Sequence, residues 1–223
     1  MERIYKRKIL LILFLLAFFL RLGFILTLKN HFYFDDEYEY YRMITNFLSG
    51  KGLIAGEHIK GFRPPVYPLI ASVFYYLNLN LWGIRIFQVI ISALTVVVIY
   101  LTAKKVFSVT TGIVAGIISA FYPFFIFYNG FLLTESLFIF LAVVSIYLLV
   151  SLDDSHISCI KAGIVLGITG LCKPTMQAYL PFVFLLIFFS KEALVLRAKK
   201  VFLILLFFSL TISPWIIRNY IVF

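Results

Sequence analysis

The chain has 223 residues, of which 63% are hydrophobic and 13% are charged. Soluble domains are about 45–50% apolar and about 25% charged, so this composition excludes a soluble globular domain and indicates a membrane protein. The net charge of +10 lies mostly between apolar blocks. This is typical of loops that set membrane orientation, and we expect no nucleic-acid partner.

The apolar blocks predict seven membrane-crossing helices, each of roughly 20 residues when upright. These crossings are residues 9–28, 83–103, 111–128, 131–151, 159–172, 176–190 and 201–217. Most Lys and Arg residues then share one side if the N-terminus is cytoplasmic. This frame requires residues 64–77 to lie in the interface, because a crossing there would move every later loop to the other side.

The predicted fold class is therefore an all-α polytopic membrane protein that forms a single domain over residues 1–223. Residues 29–65 form a large first extracytoplasmic loop that contains interfacial helices and five of the ten acidic residues of the chain. Functional side chains favour loops held on a rigid scaffold, so this loop is the first place to look for a site.

Four carboxylates crowd the start of this loop in the stretch HFYFDDEYEYY, namely Asp35, Asp36, Glu37 and Glu39. One interpretation is a helix N-cap followed by a solvated acidic face. The other is a general base, or a metal or cation site, because adjacent carboxylates repel one another unless cations offset their charge. Tyr40, on the same stretch, is a candidate for interfacial anchoring.

Arg63 closes the loop in the motif GFRPPVYP. Paired prolines hold the preceding residue extended, so Arg63 is presented at a fixed height beside the bilayer. A guanidinium there suits a phosphate, which it grips with two parallel hydrogen bonds. The alternative is contact with a lipid headgroup by a snorkelling side chain.

Two further ionisable residues lie near predicted helix ends. Glu135, in FLLTESLF, is either a functional group at membrane depth or a structural partner of Arg21 or Arg85. Lys173, in GLCKPT, is either a second phosphate ligand or an interfacial lysine. The three histidines have no metal-ligand spacing, so no metal site is assigned, although a divalent metal near His58 stays open.

The order of these motifs resembles a known family. A basic N-terminus and first helix precede D-E-x-x-Y (Asp36 to Tyr40), N-F-L-S-G-K-G and R-P-P-x-Y-P, and then T-E, G-L-x-K-P and P-W-x-x-R-N-Y. The chain resembles the polytopic GT-C glycosyltransferases, in the branch of protein O-mannosyltransferase and lipid A aminoarabinose transferase. The resemblance implies about seven membrane helices, a polyprenyl-phosphate sugar donor and transfer on the extracytoplasmic face.

The resemblance also implies roles for individual residues. Asp36 matches the catalytic base, Glu37 the adjacent acid and Arg63 the cation near the donor phosphate. Lys173 stands where relatives carry Arg, with a gap one residue shorter, and Glu135 and Tyr40 are secondary candidates for substrate contact. Some relatives use an acid and a metal at the position of Phe62, so no metal is predicted there. Family members are usually longer, and the C-terminal part of their fold is expected to be absent.

We therefore expect an inverting glycosyltransferase of the cell (inner) membrane, in contact with the lipid bilayer. Its acceptor can be a protein, a lipid or a glycan. The rival class is a transporter, a flippase or a non-enzymatic assembly subunit. A transporter should show internal repeats and ionisable or broken helices near the bilayer midplane, whereas here the charges gather at one face.

Overall fold

The computed structural model describes residues 2–56, 63–189 and 193–222, and all regular elements there are helical. Ten α-helices occur in this part of the chain, together with 3-10 turns at Tyr128–Gly130 and Pro174–Tyr179. The helices are α1 (Glu2–Leu26), α2 (Asp35–Leu48), α3 (Val66–Tyr76), α4 (Asn80–Val106), α5 (Val109–Phe121), α6 (Pro123–Phe127), α7 (Glu135–Leu149), α8 (His156–Gly170), α9 (Leu180–Phe188) and α10 (Leu194–Val222).

Three described segments are long and apolar enough to cross a membrane: Arg7–Leu26, Asn80–Val106 and Leu194–Val222. A fourth is the pair Val109–Phe121 and Pro123–Gly130, which is bent by 56°. Helices α7 and α8 have 15 residues each and reach about 22 Å, short of the roughly 30 Å hydrocarbon core. The all-α fold is thus confirmed with three or four candidate spans, and the count of seven crossings stays a prediction.

Helix α4 is the centre of the N-terminal part, where it packs against α1, α5 and α7, and α8 packs between α7 and α10. Two glycines allow the close contact of α8 with α10. A Cβ atom at Gly163 would lie 2.6 Å from the carbonyl oxygen of Ile204, and one at Gly167 would lie 2.5 Å from Cβ of Thr211. Small residues four apart therefore bring these two backbones together, as is common in membrane helix pairs.

The break between α5 and α6 is stabilised by a buried arginine from α1. The carbonyl of Ser119 lacks its usual donor four positions on, because that residue is Pro123, which has no N–H. Within the backbone it accepts only a long hydrogen bond from the N–H of Tyr122 (3.4 Å). Arg21 donates to this carbonyl (3.3 Å), to that of Ala120 (3.1 Å) and to Oγ of Ser92 (2.7 Å). The Arg21 side chain is fully buried, and these hydroxyl and carbonyl dipoles stabilise its charge.

The segment before α4 positions the loop helices. Helix α3 has 11 residues and is too short to cross the bilayer. It packs against α2, and its first backbone N–H, from Val66, donates to the carbonyl of Leu171 (3.2 Å). This bond holds the chain after Arg63 against the chain before Lys173, although the two motifs are more than 100 residues apart.

Candidate active site

The start of α2 is fixed by the buried carboxylate of Glu37. Its Oε1 accepts hydrogen bonds from the backbone N–H groups of Tyr33 (2.7 Å) and Phe34 (3.1 Å), which is one half of a capping box. Its Oε2 accepts from the N–H of Leu132 (2.7 Å), just before α7. Glu37 therefore joins two loops and sets the height of the residues beside it.

Asp36, the preceding residue, pairs with the guanidinium of Arg63. Oδ1 of Asp36 lies 2.7 Å from Nη2 of Arg63, and the Asp36 side chain is 57% exposed. Oε2 of Glu39 accepts from Nη2 (2.6 Å) and Nε (2.9 Å) of the same guanidinium. One guanidinium thus contacts two carboxylates and offsets part of their mutual repulsion, which explains how these acids can lie close together.

Tyr40 forms the floor beneath Arg63. The guanidinium carbon of Arg63 lies 4.9 Å from the centre of the Tyr40 ring, and Tyr40 packs edge-on against Tyr67 at 5.1 Å. Burial raises the pKa of Tyr40, although Arg63 opposes this rise, so the phenol stays neutral at physiological pH. Burial alone would lower the pKa of Arg63, but the hydrogen bonds with Asp36 and Glu39 outweigh it and raise the pKa.

A second ion pair joins α7 to the segment after α8. Nζ of Lys173 lies 2.8 Å from Oε1 of Glu135. The other carboxylate oxygen, Oε2, is buried and has no hydrogen-bond partner in the described part of the protein. Since Glu135 pairs with Lys173, the expected alternatives Arg21 and Arg85 are not its partners. Arg85 instead donates to the carbonyls of Gly130 and Lys29 (2.8 and 2.9 Å).

Both ion pairs line one cavity of about 460 Å³, which we call the ion-pair cavity. Tyr40 lines the same cavity. The structure therefore brings together five of the predicted site residues, namely Asp36, Tyr40, Arg63, Glu135 and Lys173. Glu37 is outside the lining and lies behind it. The lining residues are Asp36, Tyr40, Arg63, Pro64, Leu133, Thr134, Glu135, Cys172, Lys173, Pro174 and Thr175.

A larger cavity of about 650 Å³ lies between α9 and α10. Its lining, as far as the structure describes the residues there, is apolar apart from Arg197 and includes no carboxylate. The ion-pair cavity is smaller but combines anionic and cationic side chains, so it is the better candidate for chemistry.

Glu39 is the site residue that sequence reasoning missed. It was counted among the four acids of the loop, but no role was assigned to it. Its position three residues after Asp36 puts both carboxylates on one face of α2, and this spacing was the available signal.

The structure gives no separate support for a metal. In the described ranges, no group of three or more His, Cys, Asp or Glu side chains could hold a metal ion. His58 and Phe62, on which the sequence argument about a metal rested, lie outside those ranges.

Comparison with known proteins supports the same kind of activity. Residues 62–217 match the family described as dolichyl-phosphate-mannose-protein mannosyltransferase, and no curated protein matches the sequence. The match covers more than half of the chain and includes Arg63, Glu135 and Lys173, whereas Asp36 precedes it. It confirms the resemblance to membrane glycosyltransferases of the GT-C type. The chain therefore belongs to the dolichyl-phosphate-mannose-protein mannosyltransferase family.

Proposed function

We propose that the protein transfers a sugar from a polyprenyl phosphate to an acceptor hydroxyl, with inversion at the anomeric carbon and Asp36 as the general base. The observation that carries the proposal is the ion-pair cavity. In this cavity the Asp36 carboxylate, which is more than half exposed, lies beside the Arg63 guanidinium. The Lys173 ammonium lines the same cavity.

The two cations suit the leaving group. When the anomeric carbon–oxygen bond breaks, the polyprenyl phosphate keeps the electron pair and gains negative charge. Arg63 and Lys173 stabilise that charge, so no general acid is needed at this oxygen. Each cation is already held by a carboxylate, which keeps it in position before the donor binds.

Asp36 suits the other half of the reaction. It accepts the proton of the acceptor hydroxyl as the new bond to the anomeric carbon forms, a contribution of roughly 10²–10⁴-fold in rate. Glu37 does not touch substrate in this scheme. It is a positioning residue that fixes the first turn of α2, and thereby Asp36, through three backbone hydrogen bonds.

Glu135 and Tyr40 complete the donor side. The unpartnered Oε2 of Glu135 accepts a hydroxyl of the donor sugar, and Tyr40 forms an uncharged floor under the phosphate ligand Arg63. A hydrogen bond to a buried carboxylate oxygen is favourable because that oxygen is otherwise unsatisfied.

The membrane arrangement is part of the proposal. The N-terminus is cytoplasmic, residues 29–65 form the first extracytoplasmic loop, and transfer takes place outside the cell (inner) membrane in a fold of about seven crossings. The prenyl tail of the donor stays in the bilayer beside α1, so the site lies at the membrane surface. Protein, lipid and glycan acceptors are all compatible with the ion-pair cavity alone.

The experiment uses the full chain in membranes, with a panel of labelled polyprenyl-phosphate sugars. We expect one donor to be consumed and its label to move to an acceptor, and Asp36→Asn to lower the transfer rate at least roughly 100-fold. Asp153→Asn is the control, because it removes an exposed carboxylate from the loop between α7 and α8. Near-normal turnover of Asp36→Asn would reject Asp36 as the base.

A further inference from the structure

A second cavity lies against Asp36 on the side of the α5–α6 bend. It has a volume of about 360 Å³ and shares Asp36 and Leu133 with the ion-pair cavity. Its other lining residues are Phe34, Asp35, Phe127 and Tyr128. We call it the aromatic cavity.

The two cavities differ in charge. Arg63 and Lys173 line the ion-pair cavity, whereas the aromatic cavity is lined, among the residues that the structure describes, by two carboxylates and no Lys or Arg. The ion-pair cavity thus offers two cationic ligands to a phosphate, whereas the carboxylates of the aromatic cavity disfavour one. The aromatic cavity therefore suits an uncharged molecule with hydroxyl groups.

The aromatic wall is held in place from behind. Phe131 is buried and packs against Phe127 (ring centres 4.6 Å apart) and edge-on against Phe34 (4.9 Å). The backbones of Phe34 and Leu132 are both tied to the Glu37 carboxylate. Phe34 and Phe127 nevertheless keep about two fifths of their surface exposed, 41% and 39%, so their faces are available to a ligand.

We propose that the aromatic cavity binds the acceptor, and that the attacking hydroxyl of this acceptor belongs to a sugar ring. This inference rests on the proposed function and adds the acceptor class to it. The apolar face of a pyranose carries C–H groups that pack against the negative faces of aromatic rings. Its hydroxyls are donors for the Asp35 and Asp36 carboxylates.

A peptide fits the same lining less well. A peptide strand needs N–H or O–H donors for its carbonyl groups, and among the lining side chains only the Tyr128 phenol can donate. A Ser or Thr side chain offers one hydroxyl, and the other donors of a peptide backbone are N–H groups fixed along the strand, whereas a sugar ring presents several hydroxyls around its edge.

The shared position of Asp36 fits the geometry of inversion. The acceptor oxygen must approach the anomeric carbon from the face opposite to the departing phosphate. As the acceptor oxygen–carbon bond forms and the carbon–phosphate oxygen bond breaks, the acceptor proton goes to Asp36 and the electron pair leaves with the polyprenyl phosphate. A base in the wall between the two cavities can reach the acceptor while the cations hold the phosphate.

The first test measures acceptor binding without any donor. Saturation-transfer NMR on the full chain in nanodiscs uses methyl hexosides and short Ser/Thr peptides as probes. We expect signal for a methyl hexoside, its loss in Phe127→Ala and its retention in Phe202→Ala, which removes an exposed ring from α10. Signal for the peptides alone would overturn the proposal and favour a protein acceptor.

The second test separates acceptor from donor in transfer assays. With the donor that the wild-type protein consumes, Phe127→Ala and Asp35→Asn should raise the acceptor KM by roughly tenfold, as expected for the loss of one ring contact or one hydrogen bond, and should change the donor KM much less. Asp35 is exposed, so Asp35→Asn keeps the test valid if Phe127→Ala does not fold. An unchanged acceptor KM in both variants would overturn the proposal.

The two failures are distinguishable. If the wild-type protein consumes no polyprenyl-phosphate sugar, the proposed function fails, and the NMR result still shows whether the aromatic cavity binds a sugar. If donor is consumed but only peptides accept the label, the proposed function stands and the inference about the acceptor fails.

Discussion

The substitution Glu37→Gln tests the central joint of the site. The carboxylate accepts three backbone hydrogen bonds, two at Oε1 and one at Oε2, and is fully buried. Glutamine has one acceptor oxygen, and its NH₂ group would face a backbone N–H at the other position. If the oxygen keeps Tyr33 and Phe34, the N–H of Leu132 loses its partner inside the protein.

The expected loss of stability follows from these bonds. A hydrogen bond to a charged group contributes about 1.5–3 kcal/mol, and a buried donor without a partner costs about 1–3 kcal/mol. We expect Glu37→Gln to lower the free energy of unfolding by about 2–4 kcal/mol, because two bonds are weakened and one is lost. For a chain of this length, 1 kcal/mol moves Tm by roughly 2–4 °C, so Tm should fall by about 5–15 °C.

The assay is thermal unfolding of the purified protein in detergent, followed by circular dichroism, together with hydrogen exchange of the Leu132 amide. Glu39→Gln is the matched control on the same helix. Its carboxylate is 35% exposed and pairs with one arginine, so its change should stay within about 1 kcal/mol. Equal melting of Glu37→Gln and wild type, or an equal loss in both variants, would refute the positioning role.

Two further changes test the donor ligand and the packing of the C-terminal helices. Arg63→Ala should raise the donor KM by roughly tenfold or more and the acceptor KM much less, because the guanidinium binds phosphate. The control is Arg42→Ala, which removes an exposed arginine from α2. A larger effect on the acceptor KM than on the donor KM would reject Arg63 as the phosphate ligand. Gly167→Leu should lower the yield of folded protein, measured by gel filtration, since its Cβ would lie 2.5 Å from Thr211, whereas Gly170→Ala meets its nearest neighbour at 3.7 Å and should be tolerated; equal yields would argue against close packing of α8 and α10.

The sequence indicated candidate charged residues but not all of their partners. Arg63 and the acids were assigned to one loop, and the structure joins them in an ion pair between Arg63 and Asp36. The local signals were strong because two prolines follow Arg63 and the acids begin a helix. The pairing of Glu135 with Lys173 is not encoded locally, since these residues are 38 positions apart.

Glu37 shows why adjacent acids cannot be assigned roles from spacing alone. Its partner Leu132 is 95 residues away, and only the packed fold reveals that this carboxylate faces backbone while its neighbour Asp36 faces a cavity. Successive side chains of an α-helix point in directions about 100° apart, so two neighbouring residues can differ in burial.

The lengths of the helices could not be predicted from hydropathy either. The block 111–128 reads as one crossing, but Pro123 divides it into α5 and α6. A window average cannot see this break because the residues on both sides are apolar. Residues 64–77 form only the 11-residue helix α3, which is too short to cross the bilayer, and their interfacial placement stays a prediction.

The bond between Arg21 and the broken helix has a consequence for biosynthesis. Hydrocarbon offers no donor to the carbonyl of Ala120 and leaves that of Ser119 with only the long bond from Tyr122, so Arg21 of α1 stabilises the kink in the bilayer. Helix α1 precedes α5 and α6 in the chain, so it is synthesised before them. Helix α1 therefore supplies the donor that the later bend needs. If a generic membrane anchor replaced it, targeting would be retained but the bend would not assemble correctly.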